Sequence, residues 1–70
     1  MSTFSRRLKE ARKARGFSQE RLGIEANLDP ASASARMSQY EKGVHQPGEG
    51  TVRQIAAVLN LPLAYFYCED

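Results

Sequence analysis

Four residues, Gly16 as a left-handed stop and Asn27, Gly43 and Asn60 as further helix ends, interrupt this chain at intervals of 11 to 17 residues. Each closes a stretch whose apolar residues recur at helical spacing, so the chain reads as a series of short helices that must pack on one another to persist. Phe4, Leu8 and Ala11 follow the capping candidates Ser2 and Thr3, which predicts a first helix over about 4–15, stopped by Gly16. Ser18 is placed to accept from the free amides of a second helix, with Glu20 in its first turn, Leu22 and Ala26 turned inward and Asn27 at its end. Asp29 and Pro30 then form a start signal, a good cap followed by a residue that loses no hydrogen bond at the first helical position, and predict a third helix over about 30–42. Its apolar stripe is narrow, Ala33, Met37 and Tyr40, and leaves Ser34, Ala35, Ser38, Gln39 and Lys42 on the other sides. "VHQPGEG" has no period, Gly50 or Thr51 opens a fourth helix with Val52, Ile55, Ala56 and Leu59 inward, and that helix ends near Asn60. "LPLAYFY" reads as a short fifth helix in which Leu61, Leu63 and Phe66 close the core while Tyr65 has no evident inward place. With no strand signal, repeat or low-complexity linker, the expectation is a compact all-α domain of five helices.

Seventy residues suffice for one small core, so residues 1–70 are expected to form a single domain. The one cysteine, Cys68, has no partner for an internal disulfide and no histidine or second thiol near it in sequence, so it reads as a passive thiol in a reducing compartment, the cytoplasm. No apolar run approaches the roughly 20 residues needed to span a bilayer, and the charged start lacks the apolar block of a secretory signal; a soluble chain without membrane contact is expected. One histidine, no glycine-rich phosphate loop and no spaced ligand cluster argue against an enzyme, a cofactor, a bound metal or a small-molecule substrate. Charge is informative by its distribution. Residues 1–15 hold Arg6, Arg7, Lys9, Arg12, Lys13 and Arg15 against Glu10 alone, although the whole chain carries only +2. Such asymmetry suits a polyanion on one side of the molecule, the plain alternative being a solvated helix face.

The order "RLKEAR…GFSQERL…MSQYEKG…P…TVRQIAAVLNLPLAYF" resembles the lambda-repressor-like, Cro-type (XRE) helix-turn-helix family over residues 6–67. The marks that carry the resemblance are Ser18-Gln19 opening the second helix, Tyr40-Glu41 and Gly43 closing the third, Pro47 and Thr51 at their usual distances, and the terminal Leu63–Phe66 helix. The sequence departs from the family in an excess of four residues between Leu22 and Met37, in Gly23 where alanine is usual, and in Glu49 where an apolar residue is common. Four residues are close to one helical turn, so the expectation is a third helix extended at its front by "PASA" with Met37 and Tyr40 still in phase. A second reading loops the insertion out and makes Ser32 the cap. Gly23 and Glu49 are each expected to cost stability, glycine in a helix interior about 1 kcal/mol relative to alanine.

The resemblance implies a sequence-specific transcriptional regulator, a repressor, that binds a palindromic double-stranded DNA operator as a homodimer paired through the fourth and fifth helices. The third helix is then the reader, because the major groove admits an α-helix and presents donors and acceptors that such side chains address. By position in the motif Ser34, Ala35, Ser38 and Gln39 correspond to base-contacting residues. Gln39 offers a donor and an acceptor to adenine, Arg36 suits guanine or a phosphate, and Ala35 offers a methyl group. Phosphate contacts are expected from Ser18 and Gln19 at the start of the second helix and from Lys42 and His45, with a plain cap for Ser18 and a solvated loop residue for His45 as the structural readings. Arg12 and Glu41, which the family pairs, are assigned to the scaffold together with Met37 and Tyr40. A protein-interaction module on the same fold, such as an antitoxin or adaptor using the third helix or Tyr65 and Tyr67, is the competing function.

Overall fold

The computed structural model describes residues 2–68, and among these the regular structure is entirely helical: α1 (Thr3–Ala14), α2 (Gln19–Glu25), α3 (Ala33–Lys42), α4 (Glu49–Leu59) and a 3-10 helix (Leu63–Phe66). All four predicted stops adopt the left-handed region, with φ of 74° at Gly16, 73° at Asn27, 76° at Gly43 and 56° at Asn60. At each, the following amide reaches five residues back, as in Leu28 N to Gly23 O (2.9 Å) and Leu61 N to Ala56 O (3.0 Å). This bond satisfies a carbonyl that the helix end would otherwise leave open. At the opposite ends, Ser2 Oγ accepts from Ser5 N (3.1 Å) and Ser18 Oγ from Arg21 N (2.9 Å).

One core joins these elements. Phe4, Leu8 and Ala11 of α1, Leu22 of α2, Ala33, Met37 and Tyr40 of α3, Val52, Ile55, Ala56 and Leu59 of α4, and Phe66 are all buried. Helix α3 packs on α2 and α1, α4 on α2, and the 3-10 helix seals the open end between α1 and α4. A polar bond fixes one crossing: the buried Ser5 hydroxyl donates to Tyr40 O at 2.9 Å.

The third helix is not extended at its front. Residues 30–32 form a turn, and α3 begins at Ala33 behind Ser32. Asp29 is the cause: its Oδ1 accepts from Ala31 N (3.1 Å) and its carbonyl from Ser32 N (2.9 Å), a tight three-residue closure in place of the α-helical ladder. Ser32, at φ −124°, then leaves the helical path. On the α2 side the loop is pinned by Leu28, a core residue that helical spacing does not indicate. Two other expectations also change. The fifth element is a four-residue 3-10 helix following Pro62, short because its task is to carry Phe66 inward. Helix α4 starts at Glu49 behind Gly48, ahead of the predicted Gly50 or Thr51. Glu49 stands exposed in that first turn and accepts from Arg53 Nη2 (2.6 Å), so no apolar side chain is missing there.

Gly23 also reverses its expected sign. A methyl group built on it would lie 2.9 Å from Ala33 Cβ and 3.0 Å from the Ala33 carbonyl oxygen, so the start of α3 rests directly on the α2 backbone. Gly23→Ala is therefore expected to lose about 1–3 kcal/mol through overpacking against backbone, outweighing the ~1 kcal/mol propensity gain. A chemical denaturation midpoint that rose in this variant would contradict the close approach.

Candidate nucleic-acid interface

Helix α3 divides cleanly. Ala33, Met37, Tyr40 and Glu41 are buried, Ser38 is half-buried, and Ser34, Ala35, Arg36, Gln39 and Lys42 are exposed around the rest of the helix. Past its end, Gly43 turns the chain back so that Val44 N and His45 N both donate to Gln39 O, at 3.0 and 3.4 Å. That turn sets the loop against the helix and encloses a shallow concavity of about 240 Å³ lined by Arg36, Gln39, Tyr40, His45 and Gln46. The structure thus brings together Arg36, Gln39 and His45 from the expected set and adds Gln46, which lies in an aperiodic loop and gives no signal in the sequence. Donors dominate this surface and no carboxylate lines the concavity. It suits an anionic or hydrogen-bonding partner.

Behind the face lies a buried polar knot. Arg12 Nε donates to Glu41 Oε2 at 2.6 Å and its Nη2 to Oε1 at 3.1 Å, a two-pronged contact, while Nη1 donates to Phe17 O at 2.8 Å. Gln19 Nε2 completes the set on Glu41 Oε1 at 3.1 Å. Glu41 is only 4% exposed, so its charge is compensated inside the protein by Arg12 and by the Gln19 amide. The knot fixes α1, the start of α2 and the end of α3 relative to one another. It also engages Gln19, whose amide nitrogen is directed to Glu41, while Ser18 stays exposed as the α2 cap.

The basic run of α1 separates into two groups. Arg12 belongs to the knot, Arg15 Nη1 donates to Leu59 O (2.6 Å) at the end of α4, and the Arg7 guanidinium lies 4.9 Å from the centre of the Tyr65 ring. The latter contact gives Tyr65, edge-on to Phe66 at 5.2 Å, the place that spacing alone does not supply. Arg6 pairs with Glu10 at 3.7 Å, leaving Lys9 and Lys13 exposed on the helix.

A family model described as a helix-turn-helix domain matches residues 3–64. Among solved structures, that of the transcriptional regulator BswR superposes with a TM-score of 0.89 at 47% sequence identity, covering 100% of this chain and 67% of that one. No curated protein matches the chain.

Proposed function

The chain belongs to the helix-turn-helix family, in its XRE branch, and on that premise we propose that it is a sequence-specific, double-stranded-DNA-binding transcriptional repressor that reads the major groove with α3. The observation that carries this reading is the exposed polar surface of α3, Ser34, Arg36, Gln39 and Lys42 with Ala35, held outward by the buried stripe of the same helix. Gln39 and the half-buried Ser38 address base edges, Gln39 suiting adenine, and Arg36 takes guanine or an adjacent phosphate. Lys42, His45 and Ser18 hold backbone phosphates on either side. Gln19 acts mainly through the knot, which supports the proposed reader from behind.

The regulator acts as a homodimer paired through α4 and the 3-10 helix. Tyr67, 56% exposed and stacked on Phe4 at 5.9 Å, places aromatic surface there beside the half-buried Leu61, Leu63 and Tyr65. Selection from random duplexes, read by sequencing, is expected to return a palindrome with half-sites about 10 base pairs apart. Recovery of no preferred sequence would transfer α3 to a protein partner.

Two substitutions separate the proposed roles. Gln39→Ala is expected to remove about 1–3 kcal/mol of discrimination at one base pair and leave the salt dependence unchanged. Lys42→Ala is expected to weaken all sequences alike and to reduce the slope of log K against log salt by about one unit for each phosphate no longer engaged. Titrations of operator and random duplex across a salt series measure both. Unchanged binding by both folded variants would remove α3 from the interface.

A further inference from the structure

We propose that Lys9 and Lys13 of α1 form, with Lys42, a second backbone track that engages phosphates flanking the base pairs read by α3. This rests on the DNA-binding reading above and extends the surface assigned to it. The placement follows from two contacts. Ser5 donates to Tyr40 O and Arg12 to Glu41, so positions 5 and 12 of α1 lie against the carboxyl end of α3. Lys9 comes four residues after Ser5 and three before Arg12, which puts it on that same side of the helix, between the two contacts. Lys13 is one position further round, also four residues beyond Lys9. Lys42 follows Glu41 immediately and ends α3. Three exposed ammonium groups therefore border one end of the proposed reading helix.

Compensation is missing at this edge. Glu41, the carboxylate lying against it, is taken by Arg12 and Gln19, and Glu10, the acid on the α1 surface, is paired with Arg6. Among the described residues no ion pair holds Lys9, Lys13 or Lys42, and Lys9 and Lys13 repel each other at helical i,i+4 spacing. A row of like charges that destabilises its own helix and has no carboxylate paired to it suits a polyanion such as a nucleic-acid backbone. Because ammonium groups recognise phosphate as point charges, the track adds affinity and salt dependence without altering sequence preference.

The test uses the Lys9→Gln, Lys13→Gln double variant of the full chain, with its fold checked by thermal melting. Its binding is compared with the parent's on two duplexes carrying the selected site, one trimmed to the read base pairs and one extended by a helical turn at each end. On the extended duplex the parent is expected to show a steeper salt slope than the variant, by about 0.9 for each phosphate that the variant leaves unneutralised and so close to two units for each bound protomer. On the trimmed duplex the two proteins are expected to agree, and the base preferences of the variant to match those of the parent. Equal slopes on the extended duplex, with sequence-specific binding by the parent intact, would overturn the second track and leave the regulator reading standing. A parent that binds no duplex would overturn both.

Discussion

Replacing Arg12 by alanine is expected to unfold most of the protein at room temperature. The substitution strands the Glu41 carboxylate at 4% exposure with only the Gln19 amide as partner, and takes the guanidinium donor from Phe17 O. Breaking a buried pair from one side costs about 3–5 kcal/mol, while a domain of this size seldom holds more than about 3–5 kcal/mol in total. Far-ultraviolet circular dichroism in a urea series measures the loss. Arg12→Met combined with Glu41→Leu is expected to recover most of the stability, since the uncompensated charge is gone and the volume is kept. A single variant that loses less than about 1 kcal/mol would mean that water reaches Glu41 freely in the folded state.

Phe66→Ala is expected to have an effect of the same order, about 3–5 kcal/mol. The ring is fully buried, 5.7 Å from Phe4 and edge-on to Tyr65, and it closes the core between α1 and α4. Tyr67→Ala provides the contrast. That ring touches the same Phe4 at 5.9 Å but is 56% exposed, so its loss is expected to cost about 1 kcal/mol, near the value of a single aromatic pair. Similar denaturation midpoints for the two variants would show that the 3-10 helix is an appendage and not the closing wall of the core.

The helical class, the four stops and the inward stripe of each helix are legible in the sequence because they depend on residues a few positions apart. Gly16, Asn27, Gly43 and Asn60 each close a helix through bonds spanning five residues, and the periodicity behind them is equally local. What the sequence hides depends on approach between elements. Gly23 reads as a weakness because nothing local shows that Ala33 sits on it, and Asp29-Pro30 reads as a helix start because its Asx turn and the burial of Leu28 are properties of the folded loop. The candidate interface shows the same division. The exposed polar surface of α3 follows from its periodicity, whereas Gln46 joins the concavity only through the reversal at Gly43, and half of the basic run on α1 braces the fold from within.

The left-handed stops also bear on how fast the chain reaches this state. Because each helix end is specified by neighbours within five residues, a segment that fluctuates into helix already has its limits fixed before it meets another. The search that remains is over the packing of four short rods and one closing turn, and the most extensive packing, that of α2 on α3, joins elements adjacent in sequence. Chains of such low contact order reach the native state in microseconds to milliseconds. The slow coordinate is then the link of greatest sequence separation, the docking of Phe66 and Tyr67 onto Phe4, which closes the 3-10 helix onto the first turn of α1.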